Sequence, residues 1–309
     1  MRGIISRFAP APTGFLHLGH VVNAVRVWEE TRVRGGRVLL RIEDHDRQRS
    51  RREFEEAMLE DLAWLGFEAD EPPVRQSERG AIYEEALGRL RALGLVYACD
   101  CTRAEIAEAT AGLKPSGSEV VQAFPPPLAD DAGELRRGSP KRVPREGGRP
   151  AVAELRYPGT CRDRGLVEGP GRGLRVRLEP SVERFTDLAL GPQEQRPSEQ
   201  CGDLLVRDRD GNWTYQFAAT VDDLVQGVTL VIRGVDLLAS TGRQIQLARL
   251  LGREEPPAFL HHPLIMKSPT QKLSKSDGDT GIRELRARGW TPAQVIGAAM
   301  AALEPGARL

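Results

Sequence analysis

Short apolar runs alternate with amphipathic stretches through the first 95 residues, and this alternation leaves few folds open. Ile4 to Phe8 and Arg37 to Ile42 read as buried strands, and between them Leu18, Val21, Val22 and Val25 recur at helical spacing. Ser50 to Leu65 predicts a second helix with Phe54, Met58, Leu62 and Leu65 on one face, opened by a capping box of Ser50 and Glu53. A third helix carries Tyr83, Leu87, Leu90 and Leu93, and Gly94 is placed to end it before a strand from Leu95 to Cys99. Such an order predicts an α/β fold, in which helices cover a parallel sheet.

From Gly112 to Pro150 the pattern gives way to Pro, Gly, Ser and charge, with Asp130, Asp131 and Glu134 followed by six basic residues between Arg136 and Arg149. A stretch of that length without periodicity is either functional or disordered, and a mobile insertion is the expectation. Regularity returns at Leu174. Asp210-Gly211, between Leu204 to Val206 and Trp213 to Tyr215, predicts a hairpin turn. A strand from Val228 to Arg233, a helix from Gly242 to Leu251 and a strand from Leu260 to Met266 restore the alternation. Thr291-Pro292 with Gln294 marks the start of a last helix.

Charge excludes one class of mechanism. Lys plus Arg equals Asp plus Glu at 44 each, so no global field draws the chain to nucleic acid or membrane, and any polyanion site has to be local. The longest apolar runs, such as Val38 to Leu40, fall far short of the ~20 residues of a spanning helix. The N-terminus enters a motif at once and leaves no room for a signal peptide, so a cytoplasmic location is expected. Four cysteines are too few for a disulfide framework, which leaves metal binding or plain burial.

Two motifs carry chemistry. Arg7-Phe8-Ala9-Pro10-Ala11-Pro12-Thr13-Gly14 leads into His17-Leu18-Gly19-His20 at the start of the helix after the first strand. A helix start offers unpaired N–H groups and a positive dipole end to phosphate, and Gly19 permits close approach to the backbone. Taken alone, two histidines at a helix start can equally be satisfied structural groups. Near the other end, Lys272-Leu273-Ser274-Lys275-Ser276 lies in a loop where lysines could reach a triphosphate. Alone, that run reads as a solvated loop; the two motifs in this order are far more specific.

His17 to His20 and Lys272 to Ser276 resemble the HIGH and KMSKS signatures of class I aminoacyl-tRNA synthetases, and RFAPAPTGFLHLGH with RIEDHD at Arg41 to Asp46 resembles the glutamyl branch. The resemblance implies a Rossmann-like catalytic domain split into residues 1–95 and 201–266. It also implies an inserted, zinc-bearing acceptor-type subdomain at 96–200, and a signature loop with C-terminal helices at 267–309. It implies ATP with magnesium on Pro10, His17, Gly19, His20 and Lys275, with His17, His20, Lys272 and Lys275 as the catalytic group. Glutamate is implied on Arg7, Phe8, Ala9, Pro10, Ala11, Glu43, Tyr215 and Arg233. The substrate's chemistry agrees, because two carboxylates and an ammonium call for fixed cations and an acid, and Arg7 and Arg233 lie at the ends of strands while Glu43 follows one, all at one sheet edge. Each of these is otherwise a structural ion pair or a core tyrosine.

Cys99-x-Cys101 with Tyr157-x-x-x-Cys161 resembles the structural zinc site of the short glutamyl-synthetase paralogues that acylate queuosine in a tRNA. Without that resemblance, Cys99 and Cys101 read as ordinary cysteines at a strand end. Cys201 fits no ligand pattern. Only residues 277–309 follow the second motif, with no room for a separate anticodon-binding domain. The partners implied are L-glutamate, ATP and the queuosine-bearing anticodon stem-loop of tRNA(Asp), met by a monomer. Three rivals are an ordinary glutamyl-tRNA synthetase core, a non-enzymatic tRNA-binding relative and a nucleotidylyltransferase sharing the H-x-G-H helix.

Overall fold

A computed structural model describes residues 3–46, 48–111, 155–268, 271–272 and 281–303. Strand β1 (Ile5–Phe8), helix α1 (Leu18–Val33), β2 (Arg37–Ile42), α2 (Arg52–Leu65), β3 (Val74–Arg75) and α3 (Gly80–Ala92) form the first part. Next come β4 (Val96–Cys99), α4 (Arg103–Thr110), β5 (Gly173–Val176), β6 (Glu183–Asp187), β7 (Gly191–Gln195), the short α5 (Pro197–Gln200) and β8 (Leu204–Arg207). Helix α6 (Tyr215–Val225), β9 (Leu230–Gly234), α7 (Thr241–Leu250), β10 (Ala258–His262), β11 (Met266–Ser268), β12 (Gln271–Lys272), α8 (Ile282–Ala287) and α9 (Pro292–Ala301) complete it.

β1, β2 and β3 run parallel, as do β9, β10 and β6, with β7 antiparallel on the outer edge. The Thr229 N–H donates to the Ile5 carbonyl at 2.8 Å and the Ile5 N–H to Thr229 Oγ1 at 2.9 Å, which sets β1 beside β9. The chain leaves β1 for β2 on one side and has β9 on the other, so the strand order reverses there, and ligands of open α/β sheets bind at the carboxyl ends of strands at such a point. Buried Val21, Val25 and Trp28 of α1 share a core with Phe8 and Ile232 and with Val295 and Ala299 of α9. An antiparallel sheet β4–β5–β8 forms a second core with Tyr83 and Leu87 of α3 and Phe217 and Val221 of α6.

Most sequence-derived elements appear within a residue or two, and the last helix opens with the expected Thr291–Gln294 capping box. The Ser50–Glu53 box does not form. Ser50 N–H donates to the Asp46 carbonyl and Arg51 N–H to that of Pro12, so a turn delays the helix to Arg52, and Ser50 Oγ is buried without a partner. Leu93 falls outside the apolar stripe, 56% exposed beyond the last turn of α3, although Gly94 ends that helix as expected with φ of 70°. Trp213 to Tyr215 is not a strand: one bridge joins Arg207 and Trp213, and Tyr215 opens α6. The spacing that decides it is helical, since Trp213 stacks on Phe217 four residues later with ring centroids 5.3 Å apart. The Leu260 to Met266 strand stops at His262, where Pro263 offers no N–H to a ladder. The 112–150 insertion and Lys275 lie outside the described residues, and for Lys272 the description gives only its backbone place in β12.

Candidate active site

Charged groups collect at the carboxyl ends of β1, β2 and β9. Arg7 is buried, donating from Nε to Asp223 Oδ1 at 2.9 Å and from a terminal nitrogen to the Ile232 carbonyl at 3.4 Å. Glu43 follows β2, its backbone N–H bound to the Pro10 carbonyl at 3.0 Å, so the turn after β1 and the end of β2 are tied together. Arg41, fully buried, holds Asp223 at 2.6 Å and Glu43 at 3.2 Å. Neighbouring Asp222 accepts from Gln76, Arg79 and Tyr83 at 2.8, 2.6 and 2.8 Å. A carboxylate buried among so many donors stays ionised: burial pushes Asp223 up, but Arg7 and Arg41 outweigh it and hold it at about 2.

Glu43 balances differently. Burial pushes its carboxyl above the usual range, against the opposing pull of Arg41, His45 and Arg7. Tyr215, the first residue of α6, has its phenol raised by burial and then by Glu43, so its hydroxyl is a neutral donor. Arg233, next to last in β9, is held by His261 Nε2 at 3.0 Å, Gln244 Oε1 at 2.7 Å and Thr241 Oγ1 at 2.8 Å, with Tyr215 bonding to it as well. Arg7, Glu43, Tyr215 and Arg233 therefore meet in one place, each acting on the charge of another. Phe8 differs from its neighbours, because its ring packs edge-on against Trp28 in the core and leaves only its backbone for a ligand. Ala9 and Ala11 are half-buried and Pro10 buried in the turn that follows.

The histidine pair faces one side of the start of α1, as its three-residue spacing suggests. His17 is the N-cap of α1 and not part of its first turn; its Nδ1 accepts from the Gly19 N–H at 3.1 Å, and His20 Nδ1 accepts from the His17 N–H at 3.1 Å. The two rings lie 4.0 Å apart. They thus cap the helix reciprocally, as Ser and Glu do in a capping box. A side chain at Gly19 would meet His17 Cε1 at 2.9 Å, so glycine here makes room for the imidazole as well as for a ligand. His17 also bridges Gly281, and the Ile282 N–H donates to the Leu16 carbonyl at 3.0 Å, linking this helix start to the segment that follows the second motif.

The Sγ atoms of Cys99, Cys101 and Cys161 all lie within 4.8 Å of one another. Cys101 and Cys161 are 3.5 Å apart, and the Tyr157 hydroxyl lies 3.5 Å from Cys99 Sγ. Arg175 donates from Nε to Cys99 Sγ at 3.4 Å and stacks 3.6 Å over the Tyr157 ring; Arg164 donates to Cys161 Sγ at 3.4 Å. Cys201 lies apart in the second core, its thiol against the Pro197 carbonyl at 3.2 Å.

Sequence reading missed Arg41, Asp222, Asp223, Gln244 and His261. A signal existed for some: an Asp-Asp pair in the apolar α6 and a His-His pair in an apolar strand are polar groups that a fold does not bury without partners.

The family model for the catalytic domain of class I tRNA synthetases (E and Q) matches residues 3–120 and 162–301. The chain is 40% identical over 283 residues to a glutamyl-Q tRNA(Asp) synthetase from Burkholderia cenocepacia, covering 91% of this chain and 83% of that one. It is likewise 40% identical over 312 residues to that of Symbiobacterium thermophilum, covering 95% and 84%. A glutamate tRNA ligase from Elizabethkingia meningosepticum, solved with its amino acid, superposes with a TM-score of 0.71 at 26% identity, over 96% of this chain and 60% of the other. The chain belongs to the class I tRNA synthetases for glutamate and glutamine, and within them to the family of the glutamyl-Q tRNA(Asp) synthetases. It is accordingly a ligase of the aminoacyl-tRNA synthetase type. No described helix is long and apolar enough to cross a membrane.

Proposed function

We propose that the chain activates L-glutamate with ATP and passes it to queuosine at the wobble position of tRNA(Asp). The convergence of Arg7, Glu43, Tyr215 and Arg233 at one sheet edge carries the glutamate half of this reading. Arg233 and Arg7 bind carboxylates, Glu43 takes the ammonium, whose charge offsets the burial that raises the Glu43 carboxyl, and Tyr215 donates its hydroxyl.

Activation needs the glutamate α-carboxylate to attack the α-phosphorus of ATP in line, with pyrophosphate leaving. Negative charge on the phosphoryl oxygens falls to His17, His20 and the start of α1, with Lys272 and Lys275 on the triphosphate and magnesium entering with ATP. Acyl transfer to a hydroxyl of the queuosine ring follows; the names of the relatives support this acceptor. Cys99, Cys101, Tyr157 and Cys161 hold one structural zinc. Zinc–thiolate bonds of about 2.3 Å place sulfurs about 3.8 Å apart in a tetrahedron, a spacing that the cluster brackets, and Arg164 and Arg175 supply N–H donors to the thiolates. In this reading residues 1–95 and 201–266 form the catalytic domain, 96–200 the zinc-bearing subdomain and 267–309 the loop and C-terminal helices of a monomer.

ATP–pyrophosphate exchange with a panel of amino acids, without tRNA, tests the pocket. Exchange with glutamate alone supports it; equal exchange with glutamine or aspartate removes it, because a site wired for one charge pattern leaves groups unpaired with another.

A further inference from the structure

A row of three buried side chains crosses the sheet behind the pocket. β10 lies between β6 and β9; His261 is in register with Arg233, while Asp187, the last residue of β6, is in register with Phe259, two residues before His261. His261 Nδ1 is 2.6 Å from Asp187 Oδ2, and its Nε2 receives the Arg233 Nε–H at 3.0 Å. Thr241 Oγ1 lies 3.3 Å from the same Nε2. His261 is 0% and Asp187 1% exposed, so neither exchanges its partner for water.

These contacts fix the proton on the imidazole. A guanidinium only donates, so Nε2 must present a lone pair to Arg233, and the ring proton must sit on Nδ1, donating to Asp187. Burial also draws the imidazole below its ordinary pKa, against the pull of Asp187, which keeps it neutral. The Nε–H of Arg233 is committed to His261, and Gln244, Thr241 and the Tyr215 hydroxyl share its terminal nitrogens, so a carboxylate can meet this guanidinium only through the remaining terminal N–H groups. Terminal N–H groups of this kind are what a carboxylate takes end-on.

We propose that Asp187 and His261 are positioning residues for substrate glutamate: Asp187 selects the imidazole tautomer, and His261 in that tautomer holds the Arg233 fork toward the carboxylate. This rests on the assignment of Arg233 to glutamate above. The device is more selective than an ion pair, since a carboxylate in the place of His261 would neutralise Arg233 and weaken its hold on an anion, whereas a neutral acceptor orients the guanidinium and leaves its charge to the substrate.

Asp187→Asn is the sharpest probe. Asp187 Oδ1 accepts from the Ala189 and Leu190 N–H groups, both at 3.0 Å, and Oδ2 from the His261 backbone N–H at 3.1 Å, so an asparagine loses an acceptor on one side, and with its oxygen kept toward the two N–H groups its NH2 faces His261 Nδ1. The imidazole is then driven to carry its proton on Nε2, donor against donor with Arg233. Glutamate KM should rise roughly 10- to 100-fold, the range for losing an outer partner that orients a ligand-binding group, with ATP KM within about threefold of wild type. Nitrogen chemical shifts of 15N-histidine protein should report Nδ1–H for His261 in the wild type and Nε2–H in the variant. His261→Gln keeps an acceptor near the Nε2 position and should restore glutamate KM relative to His261→Ala; this pair decides the matter if Asp187→Asn does not fold. Arg233→Ala separates the two claims. If it leaves glutamate use intact, the pocket assignment fails; if it abolishes glutamate use while His261→Ala and Asp187→Asn leave glutamate KM unchanged, or move both KM values equally, the positioning role is overturned. An Nε2–H tautomer in the wild type overturns it as well.

Discussion

The charged pocket and the cysteine cluster are both buried polar sites, yet they are held in opposite ways. In the pocket every charge has a protein partner: Arg41 spans Asp223 and Glu43, Arg7 shares Asp223, and Arg233 has three acceptors. Its geometry is complete before any ligand arrives, which is what fixed electrostatic recognition requires. At the cluster three thiols approach one another across a chain separation of about 60 residues, and the contacts among them are sulfur contacts near 3.5 Å that stabilise little by themselves. The pocket is thus organised by ion pairs within the fold, while the thiols are held mainly by Arg164, Arg175 and Tyr157 and by one another, and in the reading proposed above a cation would bind them together.

The strongest way to break that contrast is at Arg233. Arg233→Ala removes a desolvated charge from the substrate and should lower glutamate-dependent pyrophosphate exchange by roughly 100- to 1,000-fold, with circular dichroism unchanged. An effect of less than about threefold would mean that the pocket's order serves the fold only.

Cys99→Ala with Cys101→Ala should next separate the two regions. Elemental analysis should find about one zinc per wild-type chain and none in the variant. Hydrogen exchange should then speed up in β4 and around 155–161, while glutamate-dependent exchange changes less than about threefold. Loss of pocket activity together with the metal would show that the two regions are one cooperative unit.

Acid tests the pocket's own wiring. Asp223 titrates in the folded chain at about 2, below its ordinary carboxyl value, so its contribution is fully present above about pH 4 and is lost as pH falls from there through 2. A shift of that size is worth about 2 to 3 kcal/mol. Urea unfolding between pH 5 and pH 2.5 should show this loss in the wild type, and Asp223→Asn should lose its share of the slope while being less stable at pH 7. An unchanged slope would mean that Arg7 and Arg41 do not depend on this carboxylate.

The smallest effect is expected at Asp61, which shows neither kind of support. It is buried in α2, its Oδ2 has no hydrogen-bond partner, and burial, opposed by Arg283 and Arg286, pushes its carboxyl up to about 6. The protonated form is favoured by folding, so stability falls as pH rises from about 4 through 6. Asp61→Asn should therefore raise the melting temperature slightly at pH 7.5 and leave it unchanged at pH 4; a lower Tm at pH 7.5 would show that the carboxylate is satisfied by those arginines.

The parts legible in the sequence were those governed by local pattern. Val21, Val22 and Val25 announce the buried face of α1, Gly94 announces the end of α3, and Thr291 with Gln294 announces α9. Arg7, Glu43 and Arg233 were placed at one sheet edge because each lies at or just past the end of a strand, and the fold brings those ends together. What local pattern cannot carry is pairing across distance. Arg41 of β2 meets Asp223 of α6 across 182 residues of chain, and Asp187 meets His261 because β6 and β10 are neighbours. Ser50 shows the converse, a correct capping pattern overridden when Asp46 and Pro12 captured the preceding N–H groups. Tyr215 was assigned to the pocket from the family resemblance but to the wrong kind of element, a strand in place of a helix start.

Acceptor choice tests the whole account most directly. Labelled glutamate should be offered, with ATP, to queuosine-containing tRNA(Asp), to the same tRNA lacking queuosine, and to tRNA(Glu). Label should appear on the first alone, survive removal of the 3′ terminal nucleoside, and travel with the anticodon fragment after nuclease cleavage. Label at the 3′ end of tRNA(Glu) would contradict the proposal and make the chain an ordinary glutamyl-tRNA synthetase core.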